Sequence, residues 1–74
     1  MTTLPEGWTE SAPGRLAINT DPERGGIIDC QILNPSSWFI VFMNDDIGLI
    51  KNLPSREAAF AAHAEAIAEW EASL

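Results

Sequence analysis

The chain holds one histidine and one cysteine, the residue types most often recruited for acid–base or nucleophilic chemistry. A histidine works as a general base only with a nucleophile or an orienting carboxylate in reach, and on a helix the i−4 and i+4 neighbours of His63 are Ala59 and Ile67. A Cys30–His63 pair would meet only if that helix covered the strand carrying Cys30, and nothing in the sequence supplies a third group or an oxyanion site. Asn44-Asp45-Asp46 begins like a calcium loop, but Ile47-Gly48-Leu49 abandons the alternating oxygen ligands that such a loop needs. Gly25-Gly26 lacks the lysine and the following helix of a phosphate loop. These residues therefore predict no catalytic site, no metal and no cofactor. His63 reads as a packed helix residue and Cys30 as a small mid-strand hydrophobe.

What remains to do work is charge. Eleven Asp and Glu against four Lys and Arg give −7 on 74 residues, with a pI near 4.2. A hydrophobic fraction of 46% separates the chain from disordered acidic tails, and its length allows one domain, residues 1–74. Arg15, Arg24, Lys51 and Arg56 fall one to a segment, a poor footprint for phosphates, so direct nucleic-acid binding is not expected. Asp21, Glu23, Asp29, Asp45 and Asp46 lie on loops and a strand, and Glu57, Glu65, Glu69 and Glu71 on the helix. A net charge of this size is ordinary for solubility. Its functional reading is a carboxylate array that imitates phosphates and occupies a basic surface on another protein, where complementary potential speeds association and fixes register.

The elements that would position these groups can be read from pattern. Residues 1–7 suggest a short flexible tail. Trp8 to Asn19 suggests a bent or bulged first strand interrupted at Pro13-Gly14, and Thr20 to Gly26 a polar loop whose glycines permit positive φ. Ile28, Cys30 and Ile32 alternate with Asp29 and Gln31, predicting a half-buried strand over Ile27–Leu33. Asn34-Pro35-Ser36-Ser37 suggests a type I reversal. Trp38 to Met43 is an unalternating strand, either covered on both faces or left with one sticky face. Asn44-Asp45-Asp46 reads as a hairpin turn, and Ile47 to Ile50 as a short return strand with Gly48 in its middle. Ser55 is placed to cap a helix running through Ala72, with Glu57 in its first turn. Phe60, His63, Ile67, Trp70 and Leu74 make one stripe of that helix, while Glu65 and Glu69 point away. The fold class expected is α+β: a three- to four-stranded antiparallel sheet with one C-terminal amphipathic helix on one face. Trp8, Trp38 and Trp70 fall on three separate elements.

The layout from Gly7-Trp8 through Trp38-Phe39-Ile40-Val41-Phe42 to Leu53-Pro54-Ser55-Arg56-Glu57-Ala58 resembles small bacterial and phage or prophage proteins of strand-strand-strand-helix form. Some proteins of this size and acidity are phage-encoded inhibitors of bacterial defence systems, anti-CRISPR proteins among them. The resemblance implies a protein that acts by binding, without catalysis.

Together these readings predict a non-enzymatic interaction protein that meets a basic, nucleic-acid-handling complex through an acidic surface. The expected contacts are Glu57, Glu65 and Glu69 on the helix and Asp45 and Asp46 at the turn, with Trp38 and Phe42 as an apolar anchor or as core. The competing expectation is a regulatory or structural module that forms a homodimer through its sheet. The N-terminus has neither a basic region nor an apolar run of signal-peptide length, and the longest apolar run, Trp38 to Met43, is too short for a bilayer. A cytoplasmic protein with no membrane partner is expected, and the single cysteine allows no internal disulfide.

Overall fold

Successive reversals fold the chain back on itself in sequence. In the computed structural model, which describes residues 4–12 and 14–74, the strands accordingly form a meander. They are β1 (Thr9–Glu10), β2 (Ala17–Asn19), β3 (Gly26–Gln31), β4 (Asn34–Phe42) and β5 (Leu49–Leu53), in the order β1-β2-β3-β4-β5 with every pair antiparallel. One helix follows, α1 (Arg56–Ala72), and packs against β3, β4 and β5. The α+β class is as expected, with five strands rather than three or four.

The extra strand arises where a bent strand was expected. Pro13 itself lies outside the described residues, but around it Ser11 N donates to Leu16 O at 2.8 Å and Gly14, at φ 71°, donates to the Glu10 carboxylate at 3.0 Å. Those bonds close a turn, so the segment splits into the β1–β2 hairpin. Of the expected tail over residues 1–7, residues 1–3 lie outside the described residues, and residues 4–7 lie against the domain. Leu4 packs against the core, and Trp8 N donates to Pro5 O at 3.2 Å.

Two turns sit elsewhere than pattern placed them. Gln31 pairs with Asn34 and Cys30 with Trp38, which leaves Ile32-Leu33 as a two-residue reversal and residues 35–37 as extra length in β4. Ladder register thus overrides the β-propensity of Ile32 and Leu33, which stand 82% and 98% exposed. Gly48 lies before β5 rather than inside it, at φ 89°, where the Asn44–Ile47 turn needs a left-handed residue to re-enter the sheet.

Directly paired residues share a sheet face, so the register sorts the side chains. Ala17, Ile28, Ile40 and Ile50 form one row, flanked by Phe42 opposite Gly26 and by Trp38 opposite Cys30 and Leu53. This is the face under α1, where Ala17, Ile28 and Ile40 are wholly buried against Ala59, His63 and Ile67. Ser55 caps the helix by accepting from Ala58 N at 3.1 Å. The helix stops at Ala72 when Ser73 N turns back to Glu69 O, so Leu74 leaves the expected stripe and stands 83% exposed. Trp8, Phe60 and Phe42 surround His63: Trp8 meets both Phe60 and His63 edge-on, and Phe42 stacks on His63 with centroids 5.2 Å apart.

Candidate protein-interaction surface

The meander gathers three acidic segments at one end of the molecule. In the β2–β3 loop, Asn19 Oδ1 accepts from Asp21 N, and Asp21 Oδ1 accepts from both Glu23 N and Arg24 N at 2.9 Å. Those Arg24 and Glu23 amides hold the Asp21 carboxyl below its ordinary pKa, so it stays ionised. Gly25 finishes the loop. A Cβ there would lie 2.2 Å from Asn19 O and 2.4 Å from Asp21 O, so the glycine answers a close backbone approach and not the positive φ that sequence suggested.

This loop clasps the β4–β5 turn. Met43 N donates to Gly25 O at 3.2 Å and Asn44 Nδ2 to Glu23 O at 3.4 Å, while Asn44 Oδ1 accepts from Asp46 N at 2.9 Å. The side chain of Asn44 is thus spent on backbone, and Asp45 and Asp46 project into solvent. On its other side the loop meets the end of α1, where Arg24 Nε reaches Glu71 at 3.1 Å and its guanidinium lies over the Trp70 ring at 5.7 Å.

Asp21, Glu23, Asp45, Asp46, Glu69 and Glu71, six of the eleven acidic residues, therefore lie on the three segments that meet at this end, with Arg24 as the only basic residue there among the described residues; Glu71, Glu23 and Asp21 are the carboxylates that act on it. Two helix carboxylates sit where the backbone disfavours them. The last turn of α1 contains no basic residue, and the helix dipole there is negative. Glu65 and Glu69 also form a like-charged i,i+4 pair on the outward face.

The seven residues expected to make contact do not form one patch. Asp45, Asp46 and Glu69 share the acidic pole and Glu65 lies one helical turn below. Glu57, in the first turn, is about 18 Å from Glu69 along the helix axis at 1.5 Å per residue, and belongs to the opposite end. Phe42 is core, only 6% exposed, and Trp38 is partly buried against that core. Of the two roles open to these side chains, packing is the one they fill. Asp21, Glu23 and Glu71 join the pole instead. No spacing in the sequence links them, because only the strand order and the Asn44 and Arg24 contacts bring them together.

Elsewhere the remaining cations are largely neutralised. Arg15 pairs with Asp29 at 2.9 Å, and Arg56 approaches Glu10 at 2.7 Å, off hydrogen-bond alignment, while also lying 5.7 Å from the centre of the Phe60 ring. Lys51 has no ion pair among the described residues. Cys30 and His63 stay apart, since Cys30 lies opposite Trp38 while His63 stacks on Phe42, four residues or about 13 Å further along β4. His63 is 8% exposed and its Nε2 is buried without a hydrogen-bond partner. Burial pushes its pKa down, opposed in part by the backbone of Gly25 and Arg24. Among the described residues no cluster of three or more His, Cys, Asp or Glu could hold a metal ion, and no helix is long and apolar enough to cross a membrane.

No protein-family model matches the chain, and neither does any curated protein or solved structure.

Proposed function

We propose that this is a non-enzymatic binding protein whose acidic pole engages a basic, nucleic-acid-binding surface of another protein, acting in the cytoplasm as a phage-type inhibitor of a bacterial defence complex. The observation that supports the reading is the meeting at one end of three segments that carry Asp21, Glu23, Asp45, Asp46, Glu69 and Glu71 against a single arginine. Charge added only for solubility has no reason to collect where it repels itself. Glu69 and Glu71 also occupy a helix end at which acids cost stability. Two of the three segments are braced by hydrogen bonds that the Asp21 and Asn44 side chains accept from backbone N–H groups, so the array is pre-organised and little ordering entropy opposes binding.

The test is capture from bacterial lysate on immobilised protein at about 0.1 M and about 0.5 M salt, where the Debye length falls from roughly 10 Å to roughly 4 Å. The reading predicts a basic, nucleic-acid-binding protein retained at the lower salt and released at the higher, and released equally by added duplex DNA. Retention that ignores both salt and DNA would overturn it.

A further inference from the structure

The sheet has a second face, and no element among the described residues packs across it. Opposite the helix the register aligns Ile18, Ile27, Val41 and Leu49 in one apolar row, with Phe39 beside it opposite Asp29. Val41 is 41% and Leu49 52% exposed, and Met43 continues the alternation beyond β4. At one end of this face a groove of about 520 Å³ runs between Phe39 and the projecting Ile32-Leu33 reversal, with Arg15 and Asp29 on its lining. An apolar projection and an apolar groove thus adjoin on one surface.

We propose that this face docks a second copy of the chain, sheet against sheet about a two-fold axis, so that each copy's Ile32-Leu33 turn fills the other's groove. Three features favour that occupant. A two-fold interface must be self-complementary, and a neighbouring projection and groove satisfy that condition within one surface. The charges on the face are the neutralising Arg15–Asp29 pair and one Lys51, whereas six carboxylates lie at the pole, so two copies of a chain at −7 meet here without bringing their acidic clusters together. The area is that of a small interface. Five strands about 4.8 Å apart and averaging about 17 Å in length present roughly 400 Å² of plane, and the Ile32-Leu33 turn brings this near the roughly 500 Å² per side of the smallest biological interfaces.

The sheet edges are closed to the alternative of strand addition. β1 has two residues, and β5 carries Lys51 and a bulge at which Asn52 adopts φ 63°. Pairing is therefore face to face and leaves both acidic poles free, one on each copy.

Analytical ultracentrifugation of the full chain tests this, from roughly 10 µM to roughly 1 mM, the range in which weak association is read. The weight-average mass is expected to rise from 8.1 kDa towards twice that value, and Val41→Asp or Leu49→Asp to hold it at the monomer. Both positions are solvent-exposed, and an unchanged circular dichroism spectrum confirms folding. Amide chemical shifts of the wild-type protein, followed over the same range, provide a readout that needs no variant. They are expected to move at Ile18, Ile27, Phe39, Val41 and Leu49 and to stay fixed on α1. A monomer at the highest concentration, or a dimer whose shifts map to α1 or to an edge, overturns the proposal. Lysate capture by Val41→Asp reads the acidic pole separately, so the two proposals fail independently.

Discussion

Glu57 and Glu69 carry the same charge at opposite ends of one helix, and neutralising each should change stability in opposite directions. Glu69→Gln removes an anion from the negative end of the helix, worth about 0.3–1 kcal/mol at low salt, and relieves the i,i+4 repulsion with Glu65, worth about 0.2–0.5 kcal/mol. The sum is a stabilisation of about 0.5–1.5 kcal/mol. Glu57→Gln removes an anion from the positive end and loses about 0.3–1 kcal/mol. For a domain of this size about 1 kcal/mol moves Tm by roughly 4–8 °C, so thermal melts at about 10 mM salt should separate the two variants clearly. At about 1 M salt, where the Debye length is about 3 Å, the separation should largely vanish. Shifts of the same sign, or a separation that survives high salt, would refute the electrostatic reasoning. Under the proposed function Glu69→Gln, although more stable, is expected to bind the partner less well.

Three further outcomes follow from the packing. Ile40 is wholly buried at the centre of the sheet, so Ile40→Ala should lose about 2–5 kcal/mol in urea unfolding, a large share of the roughly 4–11 kcal/mol such a chain possesses. His63 is pushed below its ordinary value of 6.5, which means the unfolded chain takes up the proton first; stability present above about pH 6.5 is lost as the pH falls below it, and His63→Phe should flatten that part of the profile in urea melts between pH 7 and 5. Gly25→Ala forces a Cβ against the Asn19 and Asp21 carbonyls, so it should lower Tm and shift the amide resonances of residues 20–25 and of Met43 and Asn44 together, since one loop braces the other.

The parts of the fold that were legible in the sequence are those decided locally. Ser55, Glu57 and the alanine run specify a helix whose start and end lie where the residues put them, and the polar stretches after Asn19 and Met43 do become turns. What could not be read is what pairing decides. The placement of Ile32-Leu33 at a reversal follows from matching Gln31 to Asn34, not from any preference of isoleucine or leucine. The two-sided strand Trp38–Met43 is likewise resolved only by register, which sends Trp38, Ile40 and Phe42 under the helix and puts Phe39 and the exposed Val41 on the opposite face. The acidic residues were visible as composition, but grouping Glu57 with Asp45 joined opposite ends of the molecule. Asp21 and Glu23 approach Asp45, Asp46 and Glu71 because four successive reversals return the chain to the same end, a fact of topology without a local sequence signal.

The claim that this pole is a binding surface is tested most directly by reversing it. Asp45→Lys, Asp46→Lys and Glu69→Lys together add six positive units, taking the formal charge from −7 to −1 with all three changes at exposed sites. Quantitative binding of the partner recovered from lysate should then fall at least tenfold at about 0.1 M salt, as should the protein's ability to displace duplex DNA from that partner, while Glu57→Lys at the far end leaves both within about twofold. Equal binding by the wild-type and pole-reversed proteins, both folded, would contradict the account.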